Sequence, residues 1–184
     1  MTANLPNILT LARIALIPLL VLVFYLPYHW SGPVSAVIFA LAGATDWLDG
    51  YLARRLGQES PFGAFLDPVA DKLIVAAALV MLVHKDGGGQ SGLWLVLSAI
   101  VIIGREITIS ALREWMAGIG QRAKVAVSYV GKVKTTAQMV AIFLLLYHQP
   151  LLGLPTYTMG LWALYLAAVL TLWSMVQYLR AALR

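Results

Sequence analysis

The chain contains no cysteine and few charged residues. Of its 184 residues, 11% are charged and 61% are hydrophobic, and there are only eight acidic residues and three histidines. The absence of thiols excludes a disulfide framework and a thiolate metal site. The hydrophobic share lies far above the roughly 45–50% that is usual in soluble domains. The composition therefore predicts an integral membrane protein.

Six apolar stretches of membrane-spanning length follow one another, separated by polar or Gly- and Pro-containing segments. They predict a single all-α domain, a polytopic six-helix membrane unit over residues 1–184, with helices near 8–28, 34–56, 62–84, 92–117, 126–148 and 157–180. No basic residue precedes the first stretch, which we interpret as a retained helix rather than a cleaved signal peptide.

The basic residues predict the orientation of this unit. Most lysines and arginines fall on the side of the connection at 56–62, which the positive-inside rule places in the cytoplasm, while the opposite connections contain only Lys85. Both termini are then cytoplasmic. This distribution explains the net charge of +5 without a nucleic-acid partner.

Half of the acidic residues are four aspartates in two closely spaced pairs. Asp46 and Asp49 are three apart, and Asp67 and Asp71 are four apart, so each pair shares one face of its helix. A short polar connection separates the pairs, and a hairpin of antiparallel helices can bring them face to face. A lone charge in a bilayer costs roughly 2.5–3.5 kcal/mol, so these carboxylates require a cation. Oxygen-only ligands without nearby histidine suit Mg²⁺ or Mn²⁺.

Two further observations bear on the role of these carboxylates. A structural alternative pairs them with Arg54, Arg55 and Lys72, but four carboxylates near so few cations leave buried charge uncompensated, which favours a pair of metal ions. Gly50 follows Asp49 directly and leaves that face of the helix without side-chain bulk. Either a ligand or a neighbouring helix can approach the backbone there.

Basic residues inside the predicted helices form a complementary set on the cytoplasmic half. Its members are Arg105, Arg113, Lys132 and Lys134. Several cations that converge on one pocket would bind a phosphate dianion, which arginine contacts bidentately. Alternatively, Arg105 and Arg113 form structural ion pairs with the glutamates that follow them, and the two lysines, being two apart, cannot face the same way. Carboxylate-bound ions, a bare helix patch and a cationic pocket together indicate phosphoryl transfer with a carboxylate as general base.

The stretch from Asp46 to Lys72, DWLDGYLARRLGQESPFGAFLDPVADK, resembles the signature of the CDP-alcohol phosphotransferase family. That signature has two Asp three apart, then Gly, Ala-Arg, a gap, Gly, Asp and Asp, and every position is filled. The segment from Asn7 to Arg13, GREITISALREW and GKVKTTAQ resemble the branch of the family that uses glycerol 3-phosphate. The likeness covers nearly the whole chain.

The resemblance implies a six-helix membrane fold, usually homodimeric, in the bacterial inner membrane with its active site facing the cytoplasm. The implied reaction transfers a phosphatidyl group from CDP-diacylglycerol to sn-glycerol 3-phosphate and releases CMP. Two Mg²⁺ or Mn²⁺ ions would be bound by Asp46, Asp49, Asp67 and Asp71, and Asp71 would also deprotonate the acceptor's hydroxyl.

The resemblance also implies two sets of substrate contacts. CDP-diacylglycerol would be held by Asn7, Thr10, Gly50, Arg54 and Ser60. The acceptor's phosphate would be held by Arg105, Arg113, Lys132 and Lys134. Two alternatives remain open: a phosphatidyltransferase for inositol phosphate, serine or phosphatidylglycerol, and a membrane transporter, which also places carboxylates inside a helical bundle but needs passages to both sides.

Overall fold

The computed structural model describes residues 5–56, 61–86, 92–120 and 129–182, which form six helices. They are α1 Leu5–Phe24, α2 Ser31–Leu56, α3 Pro61–Asp86, α4 Gly92–Gly118, α5 Tyr129–Tyr147 and α6 Thr156–Ala182. Within these ranges the only β-type pairing is one isolated bridge between Leu151 and Leu154. The all-α prediction is therefore confirmed for the described residues.

The helix boundaries follow local chemistry at proline. The first helix was predicted near 8–28, and α1 runs from Leu5 to Phe24, which is three to four residues earlier at each end. Pro27 follows closely, and a proline disfavours helical geometry in the residue before it and lacks the backbone donor needed to continue a helix. Pro61, by contrast, opens α3, where the missing N–H group costs nothing.

Helix α1 contacts both of the aspartate-bearing helices. Among the described residues it packs extensively against α2 and α3, which contact each other less. The sequence predicted a hairpin that can bring the two aspartate pairs face to face. The structure adds α1 to this arrangement, since residues of α1 contact Asp46 on α2 and Asp67 on α3.

The core is built from apolar side chains and close backbone contacts. Leu20, Phe39, Leu79 and Ile142 are among its fully buried members. At Gly32, a side chain would lie 2.9 Å from the carbonyl oxygen of residue 147, so only glycine allows α2 to approach the end of α5 this closely. Small residues at helix contacts are typical of membrane proteins.

Among the residues that the structure describes, two helices meet the length and hydropathy expected of a membrane span. These are Gly92–Gly118 in α4 and Thr156–Arg180 in α6, with mean hydropathies of 2.0 and 1.8. Shorter apolar segments lie at Ile8–Phe24 in α1 and Val133–Tyr147 in α5. The aspartates that lower the hydropathy of α2 and α3 belong to the site described below.

Candidate active site

The first aspartate of the predicted set, Asp46, forms an ion pair with α1. The Arg13 Nη1 atom donates to the Asp46 Oδ1 atom at 2.7 Å. The Arg13 side chain is only 1% exposed, while that of Asp46 is 46% exposed. Arg13 is thus the cation that compensates this carboxylate inside the protein. The sequence analysis had considered other basic residues for this pairing, and not Arg13.

The third aspartate, Asp67, is also anchored to α1. The Thr10 hydroxyl donates to the Asp67 Oδ1 atom at 2.5 Å. Thr10 and Arg13 are three apart on α1 and therefore share a face. This face explains how carboxylates on two weakly contacting helices are held at one end of the bundle.

Asp71 lies where several helices meet, and it lines a cavity of about 190 Å³. Asp46, Glu106 and Arg13 lie within electrostatic range of it. The cavity is lined by Asp71, Lys72, Val75, Arg105, Glu106, Arg113, Thr135, Gln138, Met139 and Tyr178. The predicted base and two of the predicted phosphate-binding arginines therefore share one cavity.

The two arginines lie on the same aromatic ring. The guanidinium carbons of Arg105 and Arg113 lie 5.5 Å and 5.4 Å from the centroid of the Tyr178 ring. Arg113 Nη2 also donates to the Tyr178 hydroxyl at 3.3 Å, and Arg105 Nη2 donates to Ser174 Oγ at 3.3 Å. Residues of helix α6 thus contact and position both guanidinium groups.

Glu106 connects the cations of α4 and α5. Its Oε1 atom lies 2.5 Å from the Lys134 Nζ atom and 3.2 Å from the Arg105 Nη1 atom. The Lys134 side chain is 0% exposed, so its charge is compensated by Glu106 rather than by water. The alternative prediction, in which Arg105 forms an ion pair with Glu106, is therefore confirmed. The same arginine also lines the cavity.

Several predicted residues lie outside the part of the structure that is described. They are the side chains of Asn7, Asp49, Arg54, Ser60 and Lys132, together with Gly50. Their roles stay predictions. Among the side chains that are described, no three carboxylates or imidazoles are grouped around a point where a metal ion would bind. Asp46, Asp67 and Asp71 nevertheless offer only oxygen donors, which is the ligand chemistry that Mg²⁺ and Mn²⁺ use.

Sequence reasoning assigned no role in this site to three residues that shape it: Arg13, Ser174 and Tyr178. It named Glu106 only as a partner of Arg105 and did not pair it with Lys134. A signal existed for Arg13, because a charge inside an apolar helix requires a partner. Ser174 and Tyr178 gave none, since a serine and a tyrosine in an apolar helix are equally typical of packing and of membrane interfaces.

The opposite end of the bundle has a different character. There the Tyr157 hydroxyl donates to Asp86 Oδ1 at 2.6 Å, and the Lys85 ammonium lies 4.7 Å from the centroid of the Phe24 ring. The ring of His148 contacts that of Tyr157 edge-on. These contacts join the ends of helices, and the residues that form them do not line the cavity that contains Asp71.

The arrangement combines a carboxylate, two guanidinium groups and an all-oxygen donor set at one end of an α-helical bundle, which is typical of an enzyme that transfers phosphate-containing groups. The family model described as CDP-alcohol phosphatidyltransferase matches residues 3–173. The chain belongs to the CDP-alcohol phosphatidyltransferase family.

Curated relatives cover nearly all of the chain. It is 56% identical over 182 residues to the CDP-diacylglycerol–glycerol-3-phosphate 3-phosphatidyltransferase of Pectobacterium atrosepticum, which is 99% of this chain and 96% of the relative. The protein of the same name from Salmonella choleraesuis is 54% identical with the same coverage. That of Pseudomonas fluorescens is 56% identical over 180 residues, or 97% of this chain and 90% of the relative.

Proposed function

We propose that this chain transfers the phosphatidyl group of CDP-diacylglycerol to sn-glycerol 3-phosphate and releases CMP. The observation that carries this proposal is the cavity in which Asp71 lies with Arg105 and Arg113. Two guanidinium groups suit a phosphate dianion, and a carboxylate beside them suits a hydroxyl on the same molecule. The names of relatives that are 54–56% identical point to the same acceptor.

The size of the cavity agrees with a small polar acceptor. A volume of about 190 Å³ equals that of roughly six water molecules in the liquid. The phosphate of the acceptor would lie against Arg105 and Arg113, and its terminal hydroxyl would then be directed toward Asp71. An acceptor without a phosphate, such as serine, would offer the two arginines a single carboxylate charge in place of a phosphate dianion.

In the proposed reaction the Asp71 carboxylate takes the proton of the acceptor's terminal hydroxyl. The oxygen forms a bond to the phosphatidyl phosphorus, and the bond from that phosphorus to the oxygen of the CMP phosphate breaks. Arg105 and Arg113 hold the acceptor's own phosphate away from the reacting phosphorus. This positioning makes the attack effectively intramolecular.

The donor set fits divalent ions, and we propose that Asp46, Asp49, Asp67 and Asp71 hold two of them, Mg²⁺ or Mn²⁺. When bound, such ions would polarise the diphosphate and neutralise charge that develops on it. Thr10 and Arg13 keep the carboxylates of Asp67 and Asp46 in place. CDP-diacylglycerol would lie on the side of Asn7, Thr10, Gly50, Arg54 and Ser60.

We further propose that all six helices span the inner membrane, that the site faces the cytoplasm and that the protein is a homodimer. The absence of cysteine makes the orientation testable with single introduced cysteines. In intact cells, a membrane-impermeant maleimide should label Lys85→Cys and should not label Arg180→Cys. Labelling of both from outside, or the reverse pattern, would contradict the orientation.

The reaction itself is tested with purified protein, CDP-diacylglycerol and a panel of acceptors. CMP should appear with Mg²⁺ and sn-glycerol 3-phosphate, and serine, inositol phosphate and phosphatidylglycerol should give at least tenfold less. Release of CMP with serine alone would indicate a different acceptor class. Solute movement across liposomes without any CMP would favour the transporter alternative.

A further inference from the structure

One buried polar atom in the cavity has no role in the reaction described so far. Gln138 on α5 is 3% exposed and lines the cavity together with Asp71 and the two arginines. Its Oε1 atom is buried and has no hydrogen-bond partner within the described structure. Buried polar groups almost always have a partner, so an exception inside a cavity indicates that water or a ligand completes the bonding there.

The chemistry of the acceptor supplies such a partner. If the proposed function is correct, the phosphate of glycerol 3-phosphate occupies the arginines and its terminal hydroxyl meets Asp71. The secondary hydroxyl on the middle carbon then has no group assigned to it. An amide oxygen is a neutral acceptor, so it binds a hydroxyl without competing with Asp71 for the reacting proton.

We propose that Gln138 is a specificity-determining residue that accepts a hydrogen bond from the secondary hydroxyl of the acceptor. This inference rests on the proposed function. Gln138 would make the cavity select a phosphorylated triol over other phosphorylated alcohols of similar length. A site built to bind a hydroxyl discriminates strongly against an analogue without it, because the protein group is then left unpaired.

The experiment compares two acceptors in the purified, full-length enzyme. One is sn-glycerol 3-phosphate, and the other is 3-hydroxypropyl phosphate, which keeps the phosphate and the terminal hydroxyl but lacks the secondary hydroxyl. The wild-type protein should prefer the first by about a hundredfold in kcat/KM. Gln138→Met, which keeps the side-chain length, should lower kcat/KM for glycerol 3-phosphate by on the order of tenfold to a hundredfold. It should change the value for 3-hydroxypropyl phosphate by less than about threefold.

Met139→Leu serves as the matched control. Met139 is the next residue on α5 and lines the same cavity, but it has no hydrogen-bonding oxygen. A change in cavity shape alone should affect both acceptors by the same factor, so the preference for the triol should persist in this variant.

A second readout does not depend on activity. Since no described protein group donates a hydrogen bond to the Gln138 oxygen, its replacement by methionine should leave the thermal stability unchanged or raise it. Equal losses on both acceptors in Gln138→Met, or a clear loss of stability, would overturn the inference and indicate a structural role. Unchanged kinetics on both acceptors would overturn it as well. A wild-type protein that releases no CMP with glycerol 3-phosphate would instead overturn the proposed function, and this inference with it.

Discussion

Replacing Glu106 by glutamine should destabilise the protein more than removing the lysine with which it pairs. Lys134 is completely buried, and its Nζ atom lies 2.5 Å from Glu106 Oε1. Glu106 is 24% exposed and also contacts Arg105 at 3.2 Å. The ammonium group therefore depends on the carboxylate more than the carboxylate depends on the ammonium group.

The magnitudes follow from this asymmetry. Removing one partner of a buried ion pair costs about 3–5 kcal/mol. Asp71 lies within electrostatic range of Lys134 and would compensate part of its charge after Glu106→Gln. We therefore expect a cost at the lower end of this range, about 3 kcal/mol, for Glu106→Gln. Lys134→Met removes the charge itself and keeps an apolar side chain of similar length, so we expect about 1 kcal/mol. The double variant should lose about 2 kcal/mol, which is less than the sum and gives a coupling energy of about 2 kcal/mol.

The free energy of unfolding is measured by SDS titration in mixed micelles, with far-UV circular dichroism as the signal. Glu114→Gln is the matched control, because Glu114 is exposed on the same helix and its loss should change stability by less than about 0.5 kcal/mol. The reasoning is refuted if Lys134→Met costs as much as Glu106→Gln, or if the effects of the two substitutions simply add.

Four activity measurements test the rest of the site. Asp71→Asn should lower kcat by about 10²–10⁴ while the protein stays folded, and near-normal turnover would contradict its role as base. Arg113→Lys should raise the KM for glycerol 3-phosphate about tenfold, since an ammonium group lacks the planar fork, and an unchanged KM would exclude phosphate contact. EDTA should abolish CMP release, and Mg²⁺ or Mn²⁺ should restore it; activity that persists in EDTA would contradict the ion site. Lys85→Ala, at the opposite end, should leave CMP release unchanged, and a large loss would show that this end takes part.

The sequence predicted the helices well because apolar length is a local property. The predicted helix 34–56 and the observed α2, Ser31–Leu56, end at the same residue. The difference at the end of α1 is also local, since hydropathy continues past Phe24 while Pro27 follows three residues later. Proline alone does not mark a helix end, because α1 continues through Pro18 and α3 through Pro68.

The contacts between helices could not be predicted in the same way. Arg13 and Asp46 are separated by 33 positions, and Thr10 and Asp67 by 57. Helical spacing relates residues three or four apart and carries no information about which neighbouring helix a face meets. The sequence therefore predicted a common depth for the aspartates but could not show that α1 contacts two of them.

The distribution of charge in the bundle separates residues that build the site from those that act in it. Every charge placed at membrane depth costs a few kcal/mol unless it is compensated. Arg13 with Asp46, and Lys134 with Glu106, meet this cost through ion pairs inside the protein, and their geometry is thereby fixed. Asp71 and Arg113 line the cavity together with Glu106, and a substrate can complete the bonding of the first two. Asp46 and Glu106 therefore belong to both groups, because each is held in an ion pair and also adjoins the proposed chemistry, and these ion pairs fix the arrangement around the cavity.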